Sequence, residues 1–184
     1  AEPLERISKT ALRAGEIVHR MMDFTRKTAP QREPLDLAAL VNDLLLFCAS
    51  KAQRHNVSLD NRIPTGLPRV LADRIQVEQI LLNLLLNGIE ACHRDDTDSP
   101  LHVWVSASLH HADQVIISVQ DQGPGLPLAN PQLLFEQFFT TKPEGLGMGL
   151  AISRSVVEAH GSQLHACNRA TGGAEFHFAL PRAE

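Results

Sequence analysis

Apolar positions along the chain follow two rhythms, one helical and one alternating. In residues 4–28, Leu4, Ile7, Ala11, Leu12, Ile17, Val18, Met21, Met22 and Phe24 recur at roughly helical spacing among many charges, which predicts one long helix. Its apolar stripe has no partner within the stretch, so it must pack on a helical bundle or in a dimer. Pro30 and Pro34 punctuate the chain and mark a boundary. Asp36 can cap a second helix that runs through Leu37, Leu40, Val41, Leu44, Leu45 and Ala49. A short strand from Val57 to Ile63 follows. The turn residues Pro64, Gly66 and Pro68 lead to a further extended piece at Val70 and Leu71. Asp73 can cap a long helix reaching to about residue 93.

Beyond that helix the rhythm changes to alternation. Leu101–Leu109 and Gln114–Asp121 read as strands joined by a hairpin at His110–Asp113. Residues 122–146 carry many glycines and prolines and form a long loop interrupted by the segment LLFEQFF. A helix from about 147 to 160 stops at Gly161. Two strands, Ser162–Asn168 and Ala174–Leu180, flank a Thr-Gly-Gly turn. This order of elements implies an α+β two-layer sandwich, with a mixed, mostly antiparallel sheet on one side and helices on the other.

Composition narrows the function classes. The chain has 184 residues, 43% of them hydrophobic and 21% charged, which suits one well-packed domain with a short extra element. A formal net charge of −4 gives no reason to expect nucleic acid or a membrane surface as partner. The longest apolar stretch, Ile80–Ile89, is interrupted by Asn83 and Asn87 and is too short to span a bilayer. The N-terminus lacks the basic-then-apolar order of a signal peptide. Three cysteines without a CxxC pair point to reduced thiols in a cytosolic setting.

Three segments carry candidate chemistry. In the helix after Asp73, the polar residues Gln76, Asn83, Asn87 and Glu90 form one stripe on an otherwise apolar helix. A buried amide left unpaired costs roughly 1–3 kcal/mol, so the stripe needs partners. Neighbouring backbone could supply them; an Mg²⁺ ion with water and phosphate oxygens would also suit Asn and Glu. Asp121 ends a strand and shares the parity of Val115, Ile117 and Val119, which points it toward the interior. It is followed by Gln122-Gly-Pro-Gly125 and could accept a hydrogen bond from the exocyclic amine of adenine, or simply open a turn. Gly145-Leu-Gly-Met-Gly-Leu150 precedes a helix, where bare backbone N–H groups bind phosphate well. Thr140, Thr141 and Lys142 lie just upstream, and the P-loop pattern is absent. Each signal alone is weak, but together, in this order, they are strong.

The motifs resemble those of the ATP-binding domain of sensor histidine kinases, within the Bergerat-fold group of ATPases and kinases. Asn83-Leu-Leu-Leu-Asn87-Gly-Ile-Glu90-Ala91 resembles the N box, and Asp121-Gln-Gly-Pro-Gly125 the G1 box. Phe135-Glu-Gln-Phe138-Phe139-Thr-Thr-Lys142 resembles the F box, and Gly145–Leu150 the G2 box. The phrase FFTTK and the short lid are similar to the nitrogen-regulatory and oxygen-sensing type.

The resemblance implies an ATP site with Mg²⁺. Asn87 would ligate the metal; Asn83 and Glu90, with Lys142, would support the metal and phosphates as catalytic residues. Asp121 would bind the adenine amine, Gly123 and Gly125 would shape the base pocket, and Ala91 would also be an ATP-binding residue. Residues 126–146 would form a lid anchored by Phe135 and Phe138, with Thr140 and Thr141 near the nucleotide. Gly145, Gly147 and Gly149 would cradle the phosphates, with Leu146, Met148 and Leu150 also among the ATP-binding residues. Gly88, Gln122, Gln137 and Ala174 depart from the pattern, and Ala174 replaces a Thr that often assists the adenine-binding Asp.

Residues 1–30 resemble the second helix of a dimerisation hairpin and residues 31–184 would be the catalytic domain of a protein histidine kinase, which would donate the γ-phosphate of ATP to a histidine lying outside this chain rather than to His19. The implied partners are a response-regulator receiver domain and, in the intact protein, a second copy of the chain. Nucleic acid and membrane contact by this piece are not expected, and its setting would be cytoplasmic even if the parent is membrane-anchored. His110 and His111 read as a solvated hairpin tip, and His160 and His177 as structural. Two other readings remain open at this point: an ATPase of the DNA-repair or chaperone kind, and a nucleotide-binding module that regulates a partner without catalysis.

Overall fold

The computed structural model describes residues 30–92, 99–111, 113–127, 130–140 and 146–184. The long helix expected in residues 4–28, with His19, lies outside the described residues, as do Thr141, Lys142 and Gly145. Two helices start where aspartates predicted them. Asp36 accepts a hydrogen bond from Ala39 N at 3.1 Å and caps α1 (Leu37–Arg54). Asp73 accepts from Gln76 N at 3.1 Å and caps α2 (Arg74–Ala91). Each such cap is worth about 1 kcal/mol, because it satisfies an N–H that the first helical turn leaves without a partner.

Five strands form the main sheet: β2 (Val57–Arg62), β4 (Leu101–His110), β5 (Gln114–Asp121), β6 (His165–Asn168) and β7 (Ala174–Pro181), in the order β2-β4-β5-β7-β6. The β2–β4 pair is parallel and the others are antiparallel, so the sheet is mixed and mostly antiparallel, as predicted. The sandwich is two-layered, with the apolar residues of α1, α2 and α3 (Gly149–Ala159) and of one sheet face forming a single core. Alternation along β7 is complete: Ala174, Phe176, Phe178 and Leu180 are buried and the residues between them are not. No helix among the described residues is long and apolar enough to cross a membrane.

One element was not predicted. Glu33–Leu35 forms a short strand, β1, paired antiparallel with β3 (Val70–Ala72) in a two-stranded sheet. Pro34, read as punctuation, sits in its middle. A two-stranded ribbon tolerates Pro at an edge, and Leu35 is buried in the core. The loop segment LLFEQFF contributes a short 3₁₀ turn over Pro131–Phe135.

Candidate functional site

The three chemical segments meet along α2. Near its middle, Asn83 Nδ2 donates to Ser153 Oγ at 2.9 Å, which ties α2 to the second turn of α3. Gly149, the first residue of α3, lies so close to Asn83 that a Cβ there would collide with Asn83 Oδ1. Asn87 lies one turn on and is half-buried. The next residue, Gly88, faces the end of β5, since a Cβ on it would lie 3.6 Å from Asp121 Cβ. At the end of the helix, a Cβ on Gly123 would lie 3.0 Å from Ala91 O. Asn83, Asn87 and Ala91 thus run along α2 from the start of α3 to the loop after β5.

Asp121 is buried at 4% exposure, as its strand parity predicted. Its Oδ1 accepts from Gly123 N at 2.8 Å and from Ala174 N at 3.2 Å; neither of these bonds uses Oδ2. Ala174 therefore assists the carboxylate through its backbone, where a Thr side chain was noted as missing. Burial pushes the Asp121 carboxyl above its ordinary range, against the two N–H groups and the Arg169 charge, which pull it down. Gln122 holds the strand end in place: its Oε1 accepts from His102 N at 2.9 Å. Asn168 fixes the next segment, because its Oδ1 accepts from Leu126 N at 2.6 Å just after Gly125.

The start of α3 suits an anion. Its N-cap, Met148, makes no side-chain capping hydrogen bond, so the first N–H groups are not satisfied from that position. Leu146, Gly147, Met148, Gly149 and Leu150 are all half-buried. Gly147 O accepts from Phe138 N at 3.0 Å, which joins the F box to the G2 box through the backbone. Thr140 is exposed at the end of that segment.

Two expectations need adjustment. Phe135 is buried and anchors the loop as predicted, but the Phe138 ring does not: it is 70% exposed, and the residue sits at φ +67°. Phe138 holds the loop through its N–H, and its strained backbone is the kind found at functional segments. Glu90, expected beside the metal and phosphates, forms an ion pair with Lys51 of α1. Lys51, Ser153, Asn168 and Arg169 were not singled out from the sequence. Ser153 alone left a signal, as a polar residue beside Ala151 and Ile152 on the buried side of α3.

The remaining histidines and cysteines take structural places. His160 is buried; its Nε2 accepts from Asp73 N at 3.2 Å, and Nδ1 lies 2.9 Å from Val156 O, which calls for a neutral ring protonated on Nδ1. His110 and His111 are exposed at the hairpin tip, and among the described residues no group of three His, Cys, Asp or Glu side chains could hold a metal ion. Cys48 and Cys92 are buried and Cys167 is exposed, all as free thiols.

Comparison with known proteins adds four findings. Residues 72–184 match the model of the family described as histidine kinase-, DNA gyrase B-, and HSP90-like ATPase. Sensor protein FixL of Bradyrhizobium diazoefficiens is 38% identical over 182 residues, which is 98% of this chain and 35% of FixL. The chain therefore spans about a third of the length of that relative. Among solved structures, full-length ShkA in complex with AMPPNP aligns with a TM-score of 0.78 and 28% identity, over 97% of this chain and 39% of that one. Histidine kinase ThkA in complex with response regulator protein TrrA aligns with a TM-score of 0.77 and 25% identity, over 96% of this chain and 49% of that one.

Proposed function

This chain belongs to the histidine kinase-, DNA gyrase B- and HSP90-like ATPase family and is a catalytic ATP-binding domain of the sensor histidine kinase kind; on that premise we propose how its residues divide the work. The observation that carries the reading is the row Asn83, Asn87, Ala91 on α2, set between the uncapped start of α3 and the buried carboxylate of Asp121.

Asp121 takes the adenine end. Its two backbone donors occupy Oδ1, which leaves Oδ2 to accept from the exocyclic amine. Ala91, Gly123 and Gly125 shape the pocket around the base. The start of α3, with Leu146–Leu150, takes the phosphates on backbone N–H groups. The oxygen donors Asn83 and Asn87, beside that N-terminus, suit a hard cation such as Mg²⁺, with Asn87 as its ligand. When bound, Mg²⁺ would neutralise phosphate charge. Glu90, held by Lys51, supports the metal end of α2. Lys142, Thr140 and Thr141, with Gly145, complete the phosphate side as the F and G2 boxes imply.

Phosphoryl transfer depends mainly on positioning and charge neutralisation, and this arrangement supplies both. The acceptor is a histidine outside the catalytic domain, and the phosphate then passes to an aspartate of a response regulator; the likeness to the ThkA–TrrA complex supports that partner class. Residues 1–30 are the second helix of the dimerisation hairpin and residues 31–184 the catalytic domain, in a protein that works as a homodimer in the cytoplasm. The FFTTK phrase supports the nitrogen-regulatory and oxygen-sensing type.

The test supplies a separate dimerisation domain that carries an acceptor histidine, together with γ-labelled ATP and Mg²⁺. Label on that histidine, stable to base and labile to acid, is the result expected. Steady release of inorganic phosphate with no labelled acceptor would support the ATPase reading. Nucleotide binding with neither product would support a regulatory module.

A further inference from the structure

We propose that Arg169 is a positioning residue for the nucleobase: with Asn168, it holds the segment Asp121–Leu126 from behind and so sets how well the site selects adenine. The proposal rests on the reading of Asp121 as the adenine anchor.

Arg169 lies in the turn between β6 and β7. Its Nη1 donates to Asp121 O at 2.8 Å and to Gly172 O at 2.8 Å, and Nη2 donates to Thr171 Oγ1 at 2.8 Å. Its guanidinium lies 4.4 Å from the centroid of Trp104, whose ring is also contacted by Arg62 at 4.2 Å. Trp104 is 5% exposed although it sits on the sheet face away from the helices, so two arginines cover it. A guanidinium that lies over a buried ring and donates three hydrogen bonds is a held fork rather than a floppy surface charge.

What the fork holds is the backbone of the residue whose carboxylate faces the site. Asp121 is thus gripped at both ends: its carbonyl by Arg169, its Oδ1 by Gly123 N and Ala174 N. Gly173, at φ +86°, leaves room for this, since a Cβ there would overlap Asp121 O. Asn168 fixes the far end of the segment, accepting from Leu126 N at 2.6 Å and donating to Leu126 O at 3.3 Å. Two consecutive residues, the last of β6 and the first of the turn after it, therefore fix both ends of the base loop. A carboxylate held in place before the ligand arrives loses less freedom on binding and discriminates better between a donor and an acceptor on the base. The Arg169 charge also favours the ionised carboxylate, which accepts from an amine. None of these contacts reaches Asn83 or Gly149, so the effect is confined to the base.

The test compares Mg-ATP with Mg-ITP, which carries an oxo group where adenine carries the amine, by titration calorimetry on wild type, Arg169→Ala, Arg169→Lys and Asp121→Asn. Circular dichroism verifies folding. Arg169→Ala is expected to lower the ATP-over-ITP preference about tenfold, the order of one charge-assisted hydrogen bond, with ITP affinity changed by less than about twofold. Arg169→Lys, which keeps the charge but not the fork, falls between, and it is read in the same way if Arg169→Ala does not fold. An unchanged preference in the Arg169 variants, with the preference lost in Asp121→Asn, overturns the clamp while leaving Asp121 as the anchor. Equal loss of both nucleotides makes Arg169 merely structural and also overturns it. An unchanged preference in Asp121→Asn overturns the anchor reading, and the clamp falls with it.

Discussion

Asn83 and Gly149 stand in direct contact, and the Asn83 amide donates to Ser153 Oγ at 2.9 Å. A metal-side residue on α2 and the phosphate-side start of α3 therefore share one position. In Gly149→Ala, the added Cβ meets only the tip of the Asn83 side chain, which can swing away. Losing its hydrogen bond costs about 1 kcal/mol, and Ala in place of Gly at the first helical position returns part of it. Unfolding free energy should thus stay within about 1 kcal/mol of wild type, while Mg-ATP affinity falls about tenfold or more because Asn83 is displaced. Urea unfolding and titration calorimetry on the same samples measure the two effects separately.

Asp121 carries a stability cost that its function explains. Burial raises its carboxyl in the folded state above the unfolded value of 3.8. The folded protein therefore holds the proton more tightly, and stability falls as pH rises from the unfolded value through the raised folded one. Above that window the ionised group opposes folding. Asp121→Asn keeps an oxygen for Gly123 N and Ala174 N but removes the charge. At pH 7.5 its melting temperature should equal or exceed that of wild type by about 2–4 °C, the shift expected for 1 kcal/mol in a chain of this size. The difference should shrink as pH is lowered toward 4. A variant less stable than wild type at neutral pH would contradict this.

His177 sets a second pH dependence of opposite sign. Burial lowers its folded affinity for a proton, helped by His165, whose ring stacks at 5.2 Å, and opposed by Glu175. The unfolded chain then binds more protons between the depressed folded value and 6.5, so stability is lost as pH falls through that window. Ser118 Oγ donates to Glu175 Oε1 at 2.9 Å and keeps that carboxylate in place beside the ring. In His177→Gln, the fall in urea midpoint between pH 7.5 and pH 5.5 should be smaller than in wild type.

The thiols should separate by exposure. Cys48 and Cys92 are buried, whereas Cys167 is exposed. Burial raises the Cys48 thiol against the pull of the Lys51 charge, and burial with the nearby Glu175 charge raises Cys167. A chromogenic disulfide reagent should titrate one thiol in the native protein, slowly, and all three in urea. Cys167→Ser should abolish the native reaction.

Much of the fold was legible because its signals were local. Asp36 and Asp73 announced two helix starts, and the alternation in Gln114–Asp121 placed Asp121 inside before any tertiary structure was known. Element ends were less legible: α1 continues to Arg54, beyond its last predicted apolar residue, and β6 begins three residues later than predicted. β1 was missed because a three-residue strand containing Pro carries no pattern, and only pairing with Val70–Ala72 makes it one. The side chains that brace the site were missed for a related reason. Ser153, Lys51 and Arg169 lie 70, 39 and 48 residues from the partners Asn83, Glu90 and Asp121. No local spacing rule connects such pairs. The exposed Phe138 ring failed in the other direction, since an aromatic in a hydrophobic phrase reads as an anchor unless its backbone conformation is known.

The central claim is that Asn87 and Asp121 are the metal and base ends of one Mg-ATP site. Titration calorimetry of Mg-ATP against wild type, Asn87→Ala and Asp121→Asn tests it most directly. The account predicts saturable 1:1 binding by wild type, dependent on Mg²⁺. Asn87→Ala should bind at least about tenfold more weakly and lose the Mg²⁺ dependence, and Asp121→Asn should bind more weakly while keeping it. Both variants binding Mg-ATP as tightly as wild type would contradict the account.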